Sequence, residues 1–236
     1  MAGAWFDRAT FQSDALFDEV IFQGEARFTR ATFHRNASFL GANFERDVGF
    51  RGVTFQRGAG FGEATFHGEA EFGEAEFQGW TGFGSATFQG GTVFAGATFK
   101  GDAGFSGATF YGVTFFDRAI VQRNARFKGA RFQRARQLGP MLVHRALILD
   151  EAVFREHIQI EVSAAAVCCR QARFLAAEAS LPPPWADAAR APISLELYGP
   201  ARLRIGGLRF AVSPNGAGVP IAQNCQGNAH GHPEAR

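Results

Sequence analysis

The stretch from Gly62 to Phe72 reads G-E-A-T-F-H-G-E-A-E-F, and it shows the unit that repeats along most of this 236-residue chain. Phe recurs at alternating steps of five and six residues, so the full unit is eleven residues long. Between Phe6 and Phe154 there are 28 such positions, of which Phe fills 24 and an aliphatic residue fills four. A second column, usually Ala, lies two residues before each Phe, so the local motif is A-x-F.

This repeat predicts strands rather than helices. In a strand, side chains alternate between two faces, so the Ala and Phe of each motif point the same way. An eleven-residue period could also fit a helix, at about 3.67 residues per turn. At about 100° per residue, however, the steps of five and six would place successive Phe residues on different sides of a helix. Frequent Gly and Thr also disfavour a helix, so we predict an all-β fold.

Short strands separated by frequent corners predict a β-solenoid, in which Ala and Phe line the interior and the intervening residues form corners. Many corners contain Gly. We expect a positive φ at these residues, because Gly adopts that backbone region at little cost. The glycines concerned are Gly24, Gly41, Gly52, Gly68, Gly79, Gly90, Gly96, Gly101 and Gly107.

The A-x-F motif resembles the unit of the pentapeptide-repeat proteins, which have a central Leu or Phe and an Ala two residues before it. Ala31-Thr32-Phe33 and Ala64-Thr65-Phe66 match that pair, and the resemblance covers residues 4–160. It implies a right-handed, four-sided β-helix. Every second unit here is one residue longer, as in a Phe-rich subgroup with eleven-residue double units. Two double units would then complete a four-sided coil, and the rod would have about seven coils.

The repeat weakens towards the C-terminus, which suggests three segments. Residues 1–160 are predicted to form the solenoid. Residues 161–211 are expected to contain a degenerate closing coil, a short helix near 175–180, a Pro-rich linker and a β segment at 193–210; Ala172-Arg173-Phe174 is a last motif out of step with the others. Residues 212–236 are rich in Gly, Pro, Asn and His, and we expect them to be disordered.

Charge is uneven along the repeat and predicts two surface bands. Residues 58–99 contain no Lys or Arg, whereas the later part of the repeat is basic. The acidic band consists of Glu63, Glu69, Glu71, Glu74 and Glu76. The basic band consists of Arg118, Arg123, Arg126, Lys128, Arg131 and Arg134. Both are candidate binding surfaces, although a solvated surface with chance clustering would give the same pattern.

The sequence contains no motif that points to catalysis. His34 and His67 each follow a Phe directly, and their spacing places them at outward corners that do not share a face of adjacent coils. There is no metal-ligand spacing, nucleophile motif or phosphate-binding loop. We therefore predict no enzymatic activity, no cofactor and no metal. No apolar stretch reaches about 18 residues, so no transmembrane helix is predicted, and without a secretory signal we expect a cytoplasmic protein.

Three functional hypotheses follow. The first is a non-catalytic scaffold that binds a protein partner through the solenoid faces and could self-associate through a solenoid end or residues 193–210. The second comes from the family, some of whose members mimic duplex DNA and bind DNA gyrase; that requires an acidic rod, whereas residues 4–160 hold 17 acidic and 17 basic residues. The third is salt-dependent binding of nucleic acid or an anionic surface through the basic band, although nucleic acid is not the expected partner.

Overall fold

The computed structural model describes residues 3–156, 158–175, 195–197 and 202–204. Regular structure in these residues is dominated by very short strands, which the chain forms at nearly every A-x-F motif. Successive strands turn at corners of two or three residues, so the chain winds into coils. Each of the first six coils contains four strands.

The strands of the first three coils are β1 (Ala4–Trp5), β2 (Thr10–Phe11), β3 (Ala15–Leu16), β4 (Ile21–Phe22), β5 (Ala26–Arg27), β6 (Thr32–Phe33), β7 (Ala37–Ser38), β8 (Asn43–Phe44), β9 (Val48–Gly49), β10 (Thr54–Phe55), β11 (Ala59–Gly60) and β12 (Thr65–Phe66). The next three coils contain β13 (Ala70–Glu71), β14 (Glu76–Phe77), β15 (Thr81–Gly82), β16 (Thr87–Phe88), β17 (Thr92–Val93), β18 (Thr98–Phe99), β19 (Ala103–Gly104), β20 (Thr109–Phe110), β21 (Thr114–Phe115), β22 (Ala119–Val121), β23 (Ala125–Arg126) and β24 (Arg131–Phe132). The last strands are β25 (Gln137–Ile148), β26 (Val153–Phe154), β27 (Gln159–Cys168), β28 (Arg173–Phe174), β29 (Leu195–Leu197) and β30 (Arg202–Arg204).

Parallel pairing between coils creates four faces. Ala4 pairs with Ala26, and Thr10 pairs with Thr32, so one coil corresponds to two eleven-residue units of the sequence. The first face contains β1, β5, β9, β13, β17 and β21; the second, β2, β6, β10, β14, β18 and β22; the third, β3, β7, β11, β15, β19 and β23; and the fourth, β4, β8, β12, β16, β20, β24, β26 and β28. This confirms the predicted all-β, four-sided solenoid. We call the corner after each face the first, second, third and fourth edge.

The fourth face has eight strands, of which seven belong to the predicted seven coils up to Phe154. The eighth, β28, belongs to the closing coil expected after residue 160. Residues 137–148 form one long strand, and β27 pairs with it through two register shifts. Consequently Val153 pairs with Arg173, and this coil is shorter than those before it. The motif at 172–174, which is out of step in the sequence, is therefore in register in space.

The interior is filled by stacked Phe rings. Rings one coil apart on the same face lie nearly parallel, from 4.5 Å between centroids for Phe11 and Phe33 to 5.2 Å for Phe55 and Phe77. The fourth-face ladder continues through the closing coil, where the rings of Phe154 and Phe174 lie 5.0 Å apart. Rings on the opposite first and third faces meet edge to face, as for Phe50 and Phe61 at 5.4 Å. Aromatic pairs of these geometries add about 0.5–1.5 kcal/mol each to the burial of apolar area.

The two step lengths produce two kinds of corner. After the first and third faces, two residues form a tight turn, and the second has a positive φ even where it is not Gly, as at Arg8, Glu63 and Ser85. The second and fourth edges contain three residues. The prediction of positive φ is right for Gly41, Gly52, Gly96 and Gly107. It is wrong for Gly24, Gly68, Gly79, Gly90 and Gly101, which lie on the three-residue edges.

Glycine on the three-residue edges relieves crowding between coils. A Cβ atom at Gly90 would lie 2.2 Å from the carbonyl oxygen of Gly68 in the preceding coil. At Gly79 it would lie 2.5 Å from the backbone of Arg57. At Gly79 and Gly90, close approach of the backbone of the preceding coil, rather than a positive φ, explains the glycine.

The closing coil is attached by an ion pair and followed by further strands. The carboxylate of Asp150, which is 7% exposed, accepts hydrogen bonds from the backbone N–H of Arg170 at 2.8 Å and from its guanidinium at 2.7 and 3.0 Å. Strands β29 and β30 both pair in parallel with β27. The predicted helix beyond Leu175, the Pro-rich linker and the tail at 212–236 lie outside the described residues. In the part of the chain that is described, no helix is long and apolar enough to cross a membrane.

Candidate interaction surface

The outward side chains of the second and fourth faces form flat, polar strips. The residue between Ala and Phe in each motif points outward because alternate side chains of a strand face opposite ways. On the second face these residues include Thr10, Thr32, Thr54 and Thr98, and on the fourth face Thr65, Thr87 and Thr109. Repetition of one short side chain gives each face an even surface.

The predicted acidic band encircles the rod instead of forming one patch. Its five members lie on the third edge (Glu63), the fourth edge (Glu69), the first face (Glu71), the first edge (Glu74) and the second face (Glu76). The carboxylate of Glu74 pairs with Arg51 at 2.7 Å, and that of Glu76 pairs with Lys100 at 2.6 Å. A flat partner could therefore contact only part of this band at once.

The predicted basic band has the same ring-like arrangement in the sixth coil. Its members occupy the first edge (Arg118), the second edge (Arg123), the third face (Arg126), the third edge (Lys128), the fourth face (Arg131) and the fourth edge (Arg134). Two of them are paired: Arg126 with Asp102 at 2.9 Å, and Lys128 with Glu151 at 3.4 Å. The remaining cations point in different directions around the rod.

The two histidines lie on opposite edges, as predicted from their spacing. Nδ1 of His34 lies 3.0 Å from Oε1 of Gln56, one coil later on the second edge. His67 makes the same contact with Gln89 on the fourth edge, also at 3.0 Å. Each histidine thus contributes to a polar ladder along its edge. No group of three or more His, Cys, Asp or Glu side chains suitable for a metal occurs within the described residues.

The structure reveals a column of arginines that the linear sequence does not make obvious. The middle residues of the second edge, one per coil, are Ser13, Arg35, Arg57, Gly79, Gly101, Arg123 and Arg145. Arginines therefore occupy the second, third, sixth and seventh coils, with glycines between them. Only Arg123 belongs to the predicted basic band. Reading the sequence one full coil at a time, rather than one eleven-residue unit at a time, would have found the other three.

Polar groups beside this column hold successive coils together. Asp14 Oδ1 accepts a hydrogen bond from the N–H of Asn36 at 3.0 Å, and Asn36 Oδ1 accepts one from the N–H of Gly58 at 3.2 Å. Asp102 accepts hydrogen bonds from Asn124 and Arg126. Burial raises the pKa of the Asp102 carboxyl, but these hydrogen bonds and the Arg126 charge outweigh it and leave the pKa below its ordinary value. Asp102 is therefore an ionised, compensated carboxylate.

Two overlapping open grooves, of about 510 and 470 Å³, also follow the second edge between the first and fourth coils. Their lining is mainly polar and consists of Gln12, Ser13, Asp14, His34, Arg35, Asn36, Gln56, Arg57 and Gln78. Because they are open and have little apolar wall, they do not resemble the enclosed, mainly apolar sites that bind small molecules.

A family model described as pentapeptide repeats matches residues 1–42, 39–87, 72–120 and 94–136. The chain belongs to the pentapeptide-repeat family. No curated protein and no solved structure matches this pentapeptide-repeat protein significantly. The family and the solenoid are thereby established, and the family match extends over the first six coils.

Trp80 is the most prominent aromatic side chain on the middle of this pentapeptide-repeat solenoid. It is the last residue of the second edge in the fourth coil and is 56% exposed. Its indole lies over the third face, where a Cβ atom at Gly82 would come within 2.6 Å of Cζ2. A Cβ atom at Gly60, one coil earlier, would lie 3.8 Å from Cζ3, in ordinary contact. Gly82 therefore leaves the space that the ring occupies over this face.

Proposed function

We propose that the protein is a non-catalytic scaffold that binds a protein partner through the outer faces and edges of its solenoid. This proposal rests mainly on one observation: side chains fill the interior completely, whereas the outer faces present a regular surface of repeated short side chains. The Phe rings of the middle coils, such as Phe61 and Phe88, have no solvent exposure. Repeat solenoids present extended surfaces of this kind to their partners.

The exposed aromatic residues support a protein partner. Trp80, Tyr111 and Phe115 are 56%, 50% and 46% exposed, and the exposed Val113 lies between the last two in the chain. Aromatic side chains and Arg dominate the binding energy of protein interfaces. The solenoid thus presents exposed aromatic anchor residues on its outer surface.

Affinity capture from native cells, with quantitative mass spectrometry, tests this proposal. The wild-type chain is compared with two surface variants: Thr54→Arg with Thr98→Arg on the second face, and Thr65→Arg with Thr87→Arg on the fourth face. We expect one protein to be enriched by the wild type, to bind it directly when purified, and to be lost with at least one variant. Unchanged melting temperatures serve as the control for folding. Failure to enrich any direct partner would contradict the proposal.

A further inference from the structure

The second edge has the charge and spacing of a docking line for an extended peptide. We propose that it binds an acidic segment of a partner protein, with an apolar residue of that segment resting on Trp80. This proposal rests on the scaffold function above and specifies its partner chemistry. It depends on four arginines, one tryptophan and the electrostatic contrast between two edges.

The four arginines are available for a partner. Among the described residues, Arg35, Arg57, Arg123 and Arg145 make no ion pair, whereas Arg51, Lys100 and Arg126 do. All four are exposed and occupy the same position of the second edge, in the second, third, sixth and seventh coils. Their guanidinium groups can therefore receive carboxylates in bidentate geometry without first losing an internal partner.

The spacing matches an extended chain lying along the rod. Stacked strands are about 4.8 Å apart, so Arg57 and Arg123, three coils apart, are separated by about 14 Å along the axis. The outer pair, Arg35 and Arg145, is separated by about 24 Å on the same basis. An extended peptide rises about 3.4 Å per residue. Carboxylates about four residues apart would reach the inner pair, and carboxylates about six to seven residues apart would reach the outer pair.

Trp80 fills the gap between the two arginine pairs. It lies in the fourth coil, the first of the two coils in which glycines, Gly79 and Gly101, interrupt the arginine column. Its indole is held against Gly82 and remains open on the other side. An apolar residue at the centre of the segment would cover the ring while carboxylates on both sides met the arginines. Tryptophan and arginine are both enriched among the hot-spot residues of protein interfaces.

Charge on the edge across the third face favours a peptide over a nucleic acid. This third edge carries Asp18, Glu19 and Glu63 in the first and third coils, whereas its later carboxylates, Asp150 and Glu151, are paired with Arg170 and Lys128. A duplex lying on the second edge would extend its phosphates towards Asp18, Glu19 and Glu63. An extended peptide is narrow enough to remain on the second edge. The carboxylates of that edge itself, Asp14 and Asp102, are engaged by Asn36 and Arg126.

The test uses the full chain and a fluorescent seven-residue peptide with two glutamates at each end and a leucine between two serines. Binding is measured by fluorescence anisotropy at low and physiological salt. The main variant is Arg57→Ala with Arg123→Ala. Its matched control is Arg46→Ala with Arg134→Ala, which removes two arginines from the middle column of the fourth edge. Trp80→Ala is compared with Trp5→Ala, another exposed tryptophan.

We expect the glutamate peptide to bind and the same peptide with glutamines to bind at least tenfold more weakly. The second-edge variant should weaken binding at least tenfold and Trp80→Ala at least threefold, while both controls change it less than twofold. No binding by the wild type, or equal losses in the second-edge and fourth-edge variants, would overturn the proposal. Tighter, edge-dependent binding of a ten-nucleotide single strand of thymidylate would also overturn it and would identify nucleic acid instead.

This experiment and the affinity capture can fail independently. A direct partner whose binding is unaffected by Arg57→Ala with Arg123→Ala would retain the scaffold function and remove the second edge from it. Peptide binding by a chain that captures no cellular partner would retain the second edge as a peptide-binding site and contradict the scaffold function. Peptide binding should also weaken from low to physiological salt, because attraction between exposed charges is largely screened beyond about 8 Å at physiological ionic strength.

Discussion

The middle coils and the end coils follow the same interior pattern but bury it to different extents. On the second-face ladder, Phe55 in the third coil has no solvent exposure, whereas Phe11 in the first coil is only partly buried. At the other end, the closing coil is shorter than the rest but still stacks Phe174 on Phe154. Ring stacking therefore continues from coil to coil, whereas changes in the number of residues per coil are accommodated by the corners and the strand registers.

The largest predicted effect is the difference in stability loss between removing a middle ring and removing an end ring of the same ladder. Phe55→Ala should lower the free energy of unfolding by about 3–5 kcal/mol, because it leaves a cavity between fixed coils. Phe11→Ala should cost only about 1–2 kcal/mol, since the ring is already partly solvated. Urea denaturation followed by circular dichroism measures both. Equal losses would show that the first coil is as tightly packed as the third.

Removal of the Asp150 carboxylate should loosen the closing coil selectively. Asp150→Ala removes the hydrogen bonds to the backbone and guanidinium of Arg170, and we expect a loss of about 1.5–3 kcal/mol. Hydrogen exchange should increase mainly at residues 158–175. Asp150→Asn, which keeps an oxygen acceptor for the backbone N–H, should have a smaller effect. Uniformly faster exchange through the middle coils would contradict a local role.

A buried hydroxyl in the middle coils offers a stabilising change. Thr92 has no solvent exposure, and its Oγ1 has no hydrogen-bond partner. Val48 occupies the equivalent inward position two coils earlier, so valine fits the column. Thr92→Val should raise the free energy of unfolding by about 1 kcal/mol, because it removes an unsatisfied buried polar group. The outward Thr54→Val is the control, and a thermal melt should show little change for it.

The tight corners should give the smallest effects, with opposite signs. Glu63 has a φ of 57°, and Gly129, at the same position of the same edge, has a φ of 66°. Glu63→Gly should stabilise by about 0.5 kcal/mol and Gly129→Ala should destabilise by about 1 kcal/mol, because only Gly adopts this region without strain. No atom lies within 4 Å of a Cβ placed at Gly129, so conformation alone is tested. Changes of the same sign in chemical denaturation would refute this explanation.

The interior was predictable from the sequence because it depends on a local rule. The A-x-F motif and the 5–6 alternation are visible within one eleven-residue unit, and they predict the inward side chains. The resemblance to the pentapeptide-repeat proteins added the four faces and hence the coil of two such units. A degenerate closing coil was expected, but its shorter length was not predictable, since its aliphatic interior residues carry no comparable rhythm. The glycine roles were also missed in part: crowding at Gly90 comes from Gly68, which lies one coil earlier in the chain.

The exterior was less predictable because neighbours on the surface are far apart in the chain. A local charge run such as Glu63 to Glu76 winds around the rod, so residues close in sequence point in different directions. Arg35, Arg57, Arg123 and Arg145 are widely scattered in the sequence but share one edge. The candidate docking line therefore emerges only when the coil period is applied to the outward positions.

Stacked Phe rings in a four-sided coil of two eleven-residue units determine the fold, and a crystal structure of the full chain is the decisive test. We expect parallel pairing between residues one such coil apart, as between Thr54 and Glu76, with interior rings stacked at 4.5–5.2 Å. Pairing of the middle coils at another separation, or middle rings such as Phe55 and Phe61 exposed to solvent, would contradict it.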